Sequence, residues 1–328
     1  MNRGDDFFLK TEHQRYWSLE PDVRQRLIAD EKTPVELKAL LLYQVGKIQL
    51  ERKEFAQAVT SFDQSLELQP RWHQVWTERG LALLKLGNYE ACVDSCNHAV
   101  ELNPDDAKAW SYRGMALYAL RSYEDAATSC DRAVDLAPDD YDSWRTLSDS
   151  LNQLGRYTEA VESYDRALDA KPDDFVALNA QSTALQHLGR YEEALDNYDE
   201  LLQAEPDNYR LWHRRGLVLR RLGNREAAIT DFDRALALEP DFYPATRSKL
   251  FLLLKAGELP AYLLGNSSLT KPEQALGDLR HVLDAFVKTK LPTLLVLALF
   301  ALYSTHSRAI GLLVAGVFLA ISFTADLI

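Results

Sequence analysis

AVELNP (residues 99–104), AVDLAP (133–138), ALDAKP (167–172) and ALALEP (235–240) are four versions of one short apolar segment closed by a proline. With Pro70 and Pro206 they complete a series, Pro70, Pro104, Pro138, Pro172, Pro206 and Pro240, in which each step is 34 residues. Proline lacks an amide hydrogen and its ring clashes with the preceding helical turn, so each of these positions ends a helix. A fixed period of this length marks a stack of helical repeats. Aspartates follow Pro104, Pro138, Pro172, Pro206 and Pro240. Their short acidic side chains are expected to cap the next helix, where amide hydrogens lack intrahelical partners.

Each period has internal detail. Trp76, Trp110 and Trp212 are followed four residues later by Gly80, Gly114 and Gly216, while Trp144 is followed by Ser148. Ala58 with Phe62, Ala160 with Tyr164, Ala194 with Tyr198 and Ala228 with Phe232 supply a second small-aromatic pair. This pattern resembles the tetratricopeptide repeat. The resemblance covers about residues 39–257 and implies an all-α, right-handed superhelix of helix-turn-helix repeats, six complete and a seventh begun. Small residues belong where the two helices of a repeat cross closely, and the aromatics are expected to wedge against the neighbouring repeat. Gly87, Gly155, Gly189 and Gly223 fall where first helices stop, a place that favours left-handed backbone. Leu42 and Leu178 replace the tryptophan, and Arg121 replaces a turn glycine.

The ends differ from the middle. Residues 1–38 read as an N-terminal cap with a helix from about Pro21, and its opening residues are expected to fray. A first helix of the seventh repeat runs from Tyr243 to Ala256, and residues 258–290 read as a capping helix and linker. Leu291–Tyr303 and Ala309–Ala325 are uncharged apolar runs separated by STHSR. As helices they would measure roughly 20 and 25 Å, against a hydrocarbon core of about 30 Å. A single span would bury Arg308, so residues 291–328 are expected to form a hydrophobic helical hairpin in a lipid bilayer. Gly311, Ala315, Gly316 and Ala320 would let its helices pack closely. Arg280, Lys288 and Lys290 flank its entrance, which places the repeats on the cytosolic side. The alternative is a buried helical pair that closes the stack or covers a partner.

A formal net charge of -12 argues against a nucleic-acid partner, whose usual footprint is a basic face. Three cysteines are too few for a disulfide framework. Cys92, Cys96 and Cys130 could present thiolates to a metal, but the period assigns them to core positions, and no metal or cofactor is expected. No catalytic motif stands out, so the chain is read as a non-enzyme. The resemblance implies instead that proteins or peptides are bound in a groove lined by first helices. Related co-chaperones clamp a terminal carboxylate there with basic and asparagine side chains. Arg145, Arg210 and Arg214 match the basic places, but Asp149 and Ala180 stand at the asparagine places, which breaks the clamp. Residues 209–223, YRLWHRRGLVLRRLG, gather Arg210, His213, Arg214, Arg215, Arg220 and Arg221 on one helix. Arg145, Arg210, His213 and Arg214 are therefore the candidate partner-binding residues. The expected role is a membrane-anchored adaptor, such as an assembly factor for a membrane complex, with a permanent structural subunit as the alternative. Oligomeric state is left open.

Overall fold

The structure is a computed structural model that describes residues 19–255. The fraying expected of the first residues, the cap expected over 258–290 and the hairpin expected over 291–328 fall outside the described residues. Among the described residues every regular element is a helix: α1 (Pro21–Ala29), α2 (Val35–Glu51), α3 (Phe55–Leu68), α4 (His73–Leu86), α5 (Tyr89–Leu102), α6 (Ala107–Ala119), α7 (Tyr123–Leu136), α8 (Tyr141–Gln153), α9 (Tyr157–Ala170), α10 (Phe175–Leu188), α11 (Tyr191–Ala204), α12 (Tyr209–Arg221), α13 (Arg225–Leu238) and α14 (Tyr243–Lys255). None of them is long and apolar enough to cross a membrane. The chain divides into two compact units, Met1–Gly189 and Arg190–Ile328.

Proline sets the helix ends. Asn103, Ala137, Lys171 and Glu239 each precede a proline and leave the helical region, with φ between −145° and −137° and ψ between 81° and 95°. Clash with the proline ring forbids them another helical turn. First helices stop differently. Gly87, Gly155, Gly189 and Gly223 adopt φ from 75° to 81°, as the sequence suggests. Arg121 takes the same left-handed turn at φ 64°, and Lys53 does so at φ 63°. A side chain there carries a steric cost that glycine avoids. The acidic caps are only partly realised. Asp106 and Asp174 accept amide hydrogens at the starts of α6 and α10, whereas Asp140 makes no cap bond. Asn208, rather than Asp207, caps α12. Asp140 is drawn instead to the hydroxyls of Ser111 and Ser143.

In the first unit each second helix packs between first helices: α3 on α2 and α4, α5 on α4 and α6, α7 on α6 and α8. First helices of successive repeats also touch, α4 with α6 and α6 with α8. The close crossing rests on glycine. A Cβ on Gly80 would lie 2.8 Å from Cys96 Sγ, and one on Gly114 2.3 Å from Cys130 Sγ. In the second unit Gly216 meets the Phe232 ring in the same way. Phe62, Tyr164, Tyr198 and Phe232 are fully buried at the aromatic position, and truncating one would cost about 3–5 kcal/mol. The tryptophans do more than wedge. Trp76, Trp110, Trp144 and Trp212 each donate the indole N–H to the carbonyl of the proline six residues earlier, at 2.7–2.9 Å. Each ring thereby pins the loop that leads into its own repeat.

Candidate functional site

The first helices of the first unit are joined by carboxylates. Thr77 donates to Asp106 at 2.7 Å, Ser111 to Asp140 at 3.0 Å and Arg145 to Asp174 at 2.8 Å. In each pair the acid lies 29 residues later, at the entrance of the next first helix. One helical turn earlier, His73 Nδ1 stands 3.1 Å from Asp106, and Tyr141 donates to Asp174. Burial alone would raise the Asp106 carboxyl. Hydrogen bonds from His73, Thr77 and the Ala109 amide outweigh it and hold the group below the usual carboxylate range. Asp174 behaves likewise: burial is opposed and overcome by Tyr141, the Ala177 amide and Arg145. Burial pushes the Tyr43 and Tyr112 hydroxyls up, with Glu78 and other carboxylates adding to it.

A second series faces the other helices. Arg79 bonds Asp63 and Ser95, each 16 residues away, at 2.6 Å. Arg113 bonds Asn97 and Ser129 at 2.8 Å. In the second unit Arg215 holds Asp231 through two nitrogens and Asp199 through the third, at 2.6–2.8 Å. Each arginine joins the second helix of its own repeat to that of the repeat before. Leu147 occupies the equivalent place in the fourth repeat. Sequence reasoning missed both series and counted Arg215 merely as part of a basic helix. The signal was present as Arg79, Arg113 and Arg215 in 34-residue register with polar residues 16 away on both sides.

The candidate partner-binding residues part company here. Arg145 lies in the first unit and is already engaged by Asp174, by Asp149 at 3.2 Å and by the Tyr141 hydroxyl. Asp149 also accepts from Tyr164 at 2.5 Å. Arg210, His213 and Arg214 share α12 in the second unit. Arg210 is exposed and lies over the Tyr209 ring, 5.5 Å from its centre; Arg214 is exposed. His213 is half-buried between Phe232 and Phe242, its Nε2 3.2 Å from the Ser248 hydroxyl. Burial pushes its pKa down to about 4; the Pro244 carbonyl pulls it up, and the charges of Arg220, Arg247 and Arg214 lower it further. His213 is thus a neutral packing residue at physiological pH and presents no charge to a ligand.

Cys92, Cys96 and Cys130 are buried. Among the described residues no cluster of three or more His, Cys, Asp and Glu side chains is placed to hold a metal.

Models of the tetratricopeptide repeat match residues 73–106, 97–141, 131–175 and 179–244. The chain carries tetratricopeptide repeats. Among solved structures it is similar to YrrB, a tetratricopeptide protein with an unusual peptide-binding site, at 21% identity and a TM-score of 0.55. That match covers 57% of this chain and 97% of YrrB. A MamA structure matches at 20% identity and a TM-score of 0.47, over 51% of this chain and 92% of MamA. MamA from Desulfovibrio magneticus RS-1, from residue 41 to its end, matches at 18% and 0.47, over 52% and 96%. A search of curated proteins returns no match.

Proposed function

We propose that this chain is a tetratricopeptide scaffold that binds partner proteins or peptides on its first-helix face, and that residues 291–328 attach it to a membrane with the repeats in the cytosol. One contrast carries the reading. Gly46, Gly80 and Gly114, which meet the second helix, recur in 34-residue register, yet the next residue along is Lys47, Leu81, Met115 and, in the fourth repeat, Asp149. Packing holds such a position small from repeat to repeat, as glycine or, at Ser148 and Ser182, serine. A surface that distinguishes one partner from another has no such constraint and varies in charge and shape. The peptide-binding site of YrrB, which shares the fold, supports the same use. In this reading the chain has no catalytic centre, needs no cofactor and serves as an assembly factor for a membrane complex. The two apolar runs after residue 290 support the membrane attachment.

Photo-crosslinking amino acids at Leu81 and Met115 on first helices, and at Glu101 and Thr128 on second helices, test the binding face in native membranes. A discrete crosslinked partner from the first pair alone is expected. Equal capture from both pairs would overturn the first-helix face as the binding surface. Attachment is tested separately by carbonate washing: the full-length chain should stay in the pellet, and one without residues 289–328 should not. Release of the full-length chain would overturn the anchor.

A further inference from the structure

The carboxylate series of the first unit has no counterpart at the end of the second. The residue 29 places after Thr77, Ser111 and Arg145 is an aspartate, but 29 places after His213 it is Phe242. That ring meets His213 at 5.2 Å and Tyr209 at 4.8 Å, both edge-on. It fills the space and brings no charge, although this is where the arginines gather. Arg214 and Arg220 of α12 and Arg247 of α14 all act electrostatically on His213, and Arg220 is also acted on by Arg221 and Arg247. Among the described residues Arg220, Arg221 and Arg247 form no ion pair. Arg220 is half-buried with its guanidinium 5.7 Å from the centre of the Phe251 ring, and Phe251 is 54% exposed beside it. Elsewhere partly buried arginines are given polar partners: Arg145 and Arg215 each have two acids, and Arg113 has Asn97 and Ser129. Cations held together without a counter-charge repel one another, and an anion placed between them relieves that repulsion while accepting charge-assisted hydrogen bonds.

The geometry points to a docking site on α12 and α14 for a short acidic peptide, whose carboxylates pair with Arg220, Arg221 and Arg247 while an apolar side chain beside them packs on Phe251. The site deepens the reading of the chain as a peptide-binding scaffold and rests on it. Charge complementarity selects the occupant. The chain carries a formal charge of -12, so an extended anionic surface such as a lipid headgroup plane would face its acidic remainder as well as this patch. A short segment touches the patch alone.

The probe is a fluorescein-labelled peptide with three glutamates on each side of one leucine, titrated by anisotropy into the full-length chain in non-ionic detergent. Saturable binding that weakens with salt is expected. Arg220→Gln with Arg247→Gln should weaken it about tenfold or more, and the exposed Arg247→Gln alone by a smaller factor with an unchanged melting temperature. Arg156→Gln with Arg190→Gln makes the same change in net charge at two exposed arginines elsewhere and should leave binding as it was. Equal loss in that control would reduce the effect to net charge and overturn the site. So would an absence of saturable binding, or binding to phosphatidylserine vesicles that depends on Arg220 and Arg247 while the peptide does not bind. In each case crosslinking from Leu81 and Met115 still decides the scaffold reading by itself.

Discussion

Asp174 accepts the Arg145 guanidinium at 2.8 Å through Oδ2, while its Oδ1 accepts the Val176 and Ala177 amides that open α10. One carboxylate thus caps a helix and ties it to the first helix of the preceding repeat. Asp174→Ala loses both roles and leaves Arg145 with Asp149 and the Tyr141 hydroxyl. A cap is worth about 1 kcal/mol and a partly buried ion pair somewhat more, so a loss of about 2–3 kcal/mol is expected. Asp174→Asn keeps an oxygen for the cap and should lose about half of that. Urea unfolding midpoints of the two variants check the order.

Arg121 turns the chain at φ 64° in the place where Gly87 and Gly155 do so without a side chain. Arg121→Gly should stabilise the protein by about 0.5–1 kcal/mol by removing the left-handed penalty, and Arg121→Ala should not. Thermal melts of the pair separate a backbone cause from loss of the arginine itself.

A methyl group on Gly114 would sit 2.3 Å from Cys130 Sγ and 3.3 Å from the Ala126 carbonyl. Gly114→Ala should therefore cost about 1–3 kcal/mol through overpacking. Adding Cys130→Ala removes the sulfur and should restore part of the loss. The carbonyl contact persists, so the recovery should be incomplete in the denaturation midpoint.

His213 and Asp174 respond to acid at different pH. His213 has its pKa lowered to about 4 from an ordinary 6.5. The unfolded chain therefore takes up its proton first, and the stability tied to neutral His213 is complete above about 6.5 and lost as pH falls towards 4. Solvent screening at this half-buried ring reduces the full loss to about 1–3 kcal/mol. Asp174 is lowered as well, so its contribution is present above the ordinary carboxylate range and disappears only at still lower pH. His213→Gln should flatten the slope of stability between pH 6.5 and 4 while leaving the later acid transition in place.

The fold was legible because the backbone makes the same demand every 34 residues. Pro104 must end a helix and Gly87 must turn left-handed, whatever the repeat's neighbours are. The polar tie-points were harder to read. Asp140 looks like a cap in sequence, yet its oxygens go to Ser111 and Ser143, a choice made by hydroxyls on two different first helices. Of the candidate site, Arg210 and Arg214 are exposed on α12 as the charge pattern suggests, while the partners of Arg145 and His213 were not disclosed by sequence spacing alone. Arg247 and Phe251 were missed because they belong to the next repeat and meet α12 only once the helices are stacked.

Cys92, Cys96 and Cys130 have no exposed surface, and burial pushes the Cys130 thiol up to about 12. A thiol in that state reacts with an alkylating reagent only after the helices around it part. The second and third repeats consequently hold a built-in clock. Alkylation rates followed cysteine by cysteine in the native chain will give the frequency with which one repeat breathes while its neighbours stay closed.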